Sequence, residues 1–176
     1  DEPVVEADVN YVISTNRSTT LRKRDAQVST VEHLLSACVG MGVDNLMIDI
    51  SGPEVPILDG SGRYFVQAIE EAGIVEQDAD KLVFEVEETI SFKDPDTGSE
   101  MVALAADSYQ ITSMIDFDSP ILNKQYAKLH DLSQYKSEIA PARTFVFVRE
   151  LEKLIDQNLI KGGDLENAVV IADEPM

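Results

Sequence analysis

Glu32 and His33, in the stretch Ser29-Thr-Val-Glu-His33, are side chains whose types and placing can do chemistry. A neutral imidazole binds Zn²⁺ through a ring nitrogen, and a carboxylate beside it can take a proton from metal-activated water. Successive helical residues diverge by about 100° around the axis, so these neighbours cannot chelate one ion as residues four apart would. One would ligate and the other flank. A hydrolytic zinc site uses three protein ligands and an open position for water. Ala37 stands four residues after His33, and His130, the only other histidine, lies in the polar run Lys128-Leu-His-Asp131, which reads as a surface loop or helix edge. Spacing alone gives half a site. The same residues also carry a purely structural reading. Ser29 followed three residues later by Glu32 is a capping box, with the carboxylate returned to the helix N-terminus and His33 merely half-exposed.

Two further carboxylates read as structural. Asp59-Gly60-Ser61 is a turn whose aspartate caps the next helix, and Glu54 sits between Pro53 and Val55 in the preceding loop. Cys38 is the only cysteine; it lies among Leu34, Leu35 and Met41 and reads as a small core residue. Thr19 and Thr20 receive no role.

The elements that must position these groups fall into two segments, 1–79 and 80–176. In the first, residues 4–12 suggest a strand. Residues 29–40 suggest a helix, with Val31, Leu34, Leu35 and Cys38 on one face. Leu46, Ile48 and Ile50 alternate as in a half-buried strand, and a helix over 62–72, closed by Gly73, buries Tyr64, Phe65, Ala68 and Ile69. A polar linker over 76–81 leads to the second segment. There Leu82, Phe84 and Val86 alternate, a turn occupies 94–98, and strands follow over 99–105 and 109–117. A helix over 149–157 carries Leu151, Leu154 and Ile155 inward, Gly162-Gly163 ends that stretch, and 168–171 is a buried strand. The expected class is α+β: two similar layered domains, each a sheet packed against helices, both incomplete.

Composition narrows the function classes. A formal net charge of −19 repels phosphate backbones, so no nucleic-acid partner is expected. No apolar run reaches the length of a bilayer span and no signal segment opens the chain, so a cytoplasmic protein without a membrane span is expected. A lone cysteine allows no internal disulfide. Without a glycine-rich phosphate loop opening a helix, a small-molecule kinase ranks last.

Five stretches occur in order: Ser29-Thr-Val-Glu-His-Leu-Leu-Ser-Ala37 with Gly42-Val-Asp-Asn45, Gly52-Pro-Glu-Val-Pro-Ile-Leu-Asp-Gly-Ser61, Ala142-Arg-Thr-Phe145, Gly162-Gly163, and Asn167-Ala-Val-Val170. Together they resemble the UDP-3-O-(3-hydroxyacyl)-N-acetylglucosamine deacetylase family. The resemblance implies a Zn²⁺ hydrolase that removes the N-acetyl group from an acylated UDP-N-acetylglucosamine in lipid A biosynthesis. It implies Glu32 as general base, His33 as a zinc ligand and Thr144 as an oxyanion donor. Phe145, Phe147, Leu159 and Ile160 would line the acyl passage, although Phe147 and Leu159 read equally well as core. The family's remaining zinc ligands come from a His-x-x-x-Asp helix, and a later His completes its acid/base machinery. This chain contains neither, so an internal fragment, inactive alone, is expected. The competing reading is a non-catalytic domain of the same fold that binds a sugar nucleotide or a protein.

Overall fold

The structure is a computed structural model and describes residues 3–157 and 163–173. Leu159, Ile160 and Gly162 lie outside the described residues. The architecture is α+β, with helices set against several small sheets.

Strands β1 (Val12–Ser14), β2 (Thr20–Lys23) and β3 (Ala26–Val28) form an antiparallel meander in which Leu21 faces both Val12 and Val28. The strand expected over 4–12 is broken by its own polar residues. The Asp8 carboxylate accepts the Asn10 N–H at 2.8 Å, and the turn Val9–Tyr11 follows as a short 3₁₀ helix. Leu21, Val31 and Val55 make a small buried cluster beneath the meander.

Helix α1 (Glu32–Gly40) and helix α2 (Arg63–Ala72) pack against each other and against residues from far along the chain. Ala37 and Val66 share a buried cluster with Tyr135 and Ala140. Tyr135 opens a π-helical turn, Tyr135–Ile139, and its ring crosses α1 where a Cβ on Gly40 would lie 2.1 Å away. Only glycine admits that crossing. On α2 the inward face is Phe65, Val66 and Ile69. Tyr64 and Ala68, expected inside, are exposed, because one residue along a helix turns a side chain by about 100° away from the face that meets Tyr135. The Arg63 guanidinium covers the Tyr64 ring instead, at 4.7 Å.

Two expected strands do not form. Residues 46–50 and 82–86 carry no ladder, and Leu46, Ile48, Ile50, Leu82 and Phe84 are all exposed. Alternation makes an extended segment possible, but a strand also needs a hydrogen-bonded neighbour, and neither segment has one among the described residues.

The second segment instead builds hairpins. Strands β4 (Ile90–Lys93) and β5 (Glu100–Ala103) pair across the expected turn, where the Asp94 carboxylate accepts the Asp96 N–H at 2.9 Å and Gly98 takes φ +73°. Strands β6 (Ile111–Asp116) and β7 (Lys124–Leu129) form a longer hairpin. Lys128 and Leu129, read as loop or helix edge, thus end a strand, while His130 just beyond is exposed as expected. A βαβ unit closes the described chain: β8 (Phe145–Phe147), helix α3 (Val148–Asp156) and β9 (Val169–Ile171), the two strands parallel. On α3 Leu154 is buried and Leu151 half-buried, whereas Ile155, expected inside, is 65% exposed at the helix's outer edge. No helix among the described residues is long and apolar enough to cross a membrane.

Candidate active site

The start of α1 is set by its surroundings rather than by a cap. The Ser29 N–H donates to the Pro53 carbonyl and its own carbonyl accepts from Val55 N–H, each at 3.0 Å, so Ser29 bridges the loop that carries Glu54. Its hydroxyl pairs with that of Thr20 at 3.0 Å. Thr30 takes φ +59°, a conformation costly for a β-branched residue, and its hydroxyl donates to the Glu54 carboxylate at 2.6 Å. Glu54 is therefore structural, as its context suggested. These contacts displace the helix start to Glu32, and the capping box expected as one reading is absent: no side chain caps α1.

The Glu32 carboxylate is consequently free to face elsewhere. One oxygen accepts the backbone N–H of Thr19, at the edge of β2, at 3.0 Å. Glu32 and His33 are both half-buried. The Ser36 hydroxyl donates to the His33 carbonyl at 2.9 Å and meets the Tyr135 hydroxyl at 2.8 Å, so the buried tyrosine also steadies the turn that bears His33. Burial pushes the Tyr135 phenol and the Cys38 thiol above their ordinary pKa values, which keeps both neutral; Cys38 is a core residue. Sequence reasoning missed Thr19, because a backbone N–H leaves no mark in residue type.

The loop 52–61 carries the second group of candidates. Asp59 accepts from the Ser61 hydroxyl at 2.7 Å and pairs with Arg63 at 2.8 Å, the turn role expected of it, but the expected cap is not formed, since no side chain caps α2. Burial pulls the Asp59 carboxyl upward, but the Ser61 hydrogen bonds and the Arg63 charge outweigh it and hold the group below its ordinary value. Gly60, at φ +79°, accepts the Thr144 N–H at 2.7 Å, and the Thr144 carbonyl accepts from Val169 at 2.9 Å. A Cβ on Gly60 would meet the Asn167 carbonyl oxygen at 2.0 Å. Arg143 donates to the Asp59 carbonyl at 2.7 Å and also to the Glu166 carbonyl. Thr144 is thus fixed by the loop whose other end braces the start of α1.

Phe145 and Phe147, the expected acyl-lining residues, stand on β8 and form an aromatic group with Phe117, with ring centroids 5.2 to 6.2 Å apart. Phe147 is 5% exposed and lies beneath the Arg149 guanidinium, while Phe145 is 39% exposed. Of the pair, only Phe145 has a face to offer a ligand. Arg17, in the β1–β2 turn, reaches α3 and pairs with Glu150 at 2.8 Å; that hydrogen bond holds the Glu150 carboxyl below its ordinary value.

No group of three or more His, Cys, Asp or Glu side chains able to hold a metal occurs among the described residues, His33 included.

A family model described as UDP-3-O-acyl N-acetylglycosamine deacetylase matches residues 1–176. A bifunctional enzyme LpxC/FabZ of Bacteroides thetaiotaomicron is 44% identical over 99% of this chain and 38% of its own length. UDP-3-O-acyl-N-acetylglucosamine deacetylases of Methylococcus capsulatus and Myxococcus xanthus are 43% and 40% identical, over 97% and 95% of this chain and 57% and 53% of theirs. The chain therefore spans between 38% and 57% of the length of these relatives.

Proposed function

The chain belongs to the UDP-3-O-acyl N-acetylglycosamine deacetylase family, and we propose that it carries part of the active site of a cytoplasmic hydrolase that removes acetate from the glucosamine nitrogen of an acylated UDP-sugar. One observation carries this reading. Glu32 is not spent on a cap but held, half-buried, by the Thr19 N–H beside His33.

In this reading Glu32 takes the proton from the attacking water and returns it to the leaving nitrogen. The Thr19 N–H keeps one carboxylate oxygen engaged, so the other is aimed at the water without a search through rotamers. Thr144, clamped by Gly60 and Val169, offers its hydroxyl to the oxygen that becomes negative as the amide carbon turns tetrahedral. Phe145 presents its open face to the acyl chain. His33 supplies one imidazole to a zinc ion, which when bound would polarise the amide carbonyl and acidify water. The described residues do not by themselves fit a complete zinc site, since no three potential ligands come together among them. The ion would need donors from outside the described residues, and the 176-residue chain on its own should release no acetate.

The test is acetate release by the complete protein carrying this chain. Thr144→Ala should lower kcat by roughly 10²–10³ with little change in KM, the signature of a donor used in the transition state, and Thr144→Ser should recover much of the loss. An unchanged kcat with a raised KM would reduce Thr144 to a binding residue. A complete protein that releases no acetate would favour the non-catalytic domain.

A further inference from the structure

We propose that Thr30 and Glu54 are positioning residues for the general base: the hydrogen bond between them keeps Glu32 out of a helix cap and on the Thr19 N–H. The role of Glu32 as base rests on the deacetylase reading; the contact that sets its side chain does not.

Among the described residues other than glycine, Arg17, Arg24, Thr30, Leu58, Asp118 and Asn123 take a left-handed backbone. All but Thr30 are exposed. Thr30 is 8% exposed and is the only β-branched residue of the set. For such a residue φ +59° is strained, and it persists only where the surroundings over-determine it. Here they do. The Ser29 N–H and carbonyl bridge to Pro53 and Val55, and the Thr30 hydroxyl donates to Glu54 at 2.6 Å. Val31 and Val55, the next residues after Thr30 and Glu54, are buried together with Leu21.

The consequence reaches Glu32 through Thr19. Beyond the left-handed Thr30, the Val31 N–H meets the Thr19 carbonyl at 3.5 Å, and the Glu32 carboxylate accepts the Thr19 N–H at 3.0 Å. Both backbone groups of Thr19, at the edge of β2, are therefore held where α1 begins. The competing arrangement is written in the same sequence. Ser29 and Glu32 stand at capping-box spacing, and a helical Thr30 would let α1 begin earlier, with the carboxylate drawn off Thr19 to the helix end. Glu54 is exposed, and its part is to hold Thr30 against that alternative.

The experiment reads the Thr19 amide, by NMR hydrogen exchange in the complete protein carrying this chain. Glu54→Ala, a change at an exposed side chain, should speed exchange at Thr19 about tenfold while the amides of the β2–β3 ladder keep their rates. Thr30→Val should do the same, and Thr30→Ser, which retains the hydroxyl, should restore slow exchange. Acetate release is the second readout. Glu54→Ala should lower kcat about tenfold with little change in KM. In a Glu32→Gln background it should cost nothing further, because a residue that acts through Glu32 then has no base left to position. Unchanged exchange at Thr19, equal acceleration in the β2–β3 ladder, or additive losses of kcat would each overturn the proposal. A wild-type protein that releases no acetate, with the exchange results as expected, would sink the deacetylase reading and leave the Thr30–Glu54 contact as what sets the Glu32 side chain.

Discussion

Around Tyr135 the chain packs as a core, whereas the hairpins β4–β5 and β6–β7 bury almost nothing. Tyr135 lies between α1 and α2 with Ala37, Val66 and Ala140 about it, nearly a hundred residues from α1 in sequence. Every residue of β4 and of β6 is exposed, although Ile90, Phe92, Ile111 and Ile115 read as core types. Both regions have apolar residues at the period of their own element. The difference is a partner: rhythm specifies an element's shape, but burial requires a second surface to meet it.

The largest expected effect sharpens that contrast. Tyr135→Ala removes the ring around which both helices close and should cost about 3–5 kcal/mol of stability, while Phe92→Ala, on the exposed hairpin, should cost under about 0.5 kcal/mol. Thermal melts of the two variants would show it, and equal losses would break the distinction. A smaller effect is expected at Gly60. Gly60→Ala places a methyl against the Asn167 carbonyl at φ +79° and should cost about 1–3 kcal/mol, with a loss of kcat as Thr144 shifts. If stability falls and kcat does not, the Gly60–Thr144 clamp serves the fold alone. The smallest effect is at Asp59, whose folded carboxyl is held below its unfolded value. Its contribution is fully present above the ordinary carboxylate range and is lost as pH falls through the lowered value. Asp59→Asn should therefore flatten the acid limb of a stability–pH curve by under about 1 kcal/mol. An unaltered limb would show that Ser61 and Arg63 hold the turn without the charge.

The same contrast explains what was legible in the sequence. Helix α2 and its Gly73 stop, the turn at Asp94–Gly98, and strand β9 with helix α3 are carried by local signals, and each appears close to where its residues indicate. The strands expected at 46–50 and 82–86 fail because pairing is not a local property. At the site, Glu32, His33 and Thr144 could be singled out by type and by resemblance. The means of positioning them could not. The Thr19 N–H, the left-handed Thr30 and the Gly60 carbonyl are backbone features, invisible to residue identity. Capping was a fair reading of Ser29 and Glu32, and it lost to Glu54 and Pro53, which draw Ser29 and Thr30 away from the helix.

The most direct test of the site is Glu32→Gln in the complete protein, with turnover and bound zinc measured on the same sample. Glutamine keeps the side-chain oxygen that accepts the Thr19 N–H but cannot take a proton. A kcat lowered by roughly 10²–10⁴ with zinc content and melting temperature unchanged is the expected result for a general base. Full turnover in that variant would contradict the assignment and return Glu32 to a structural role.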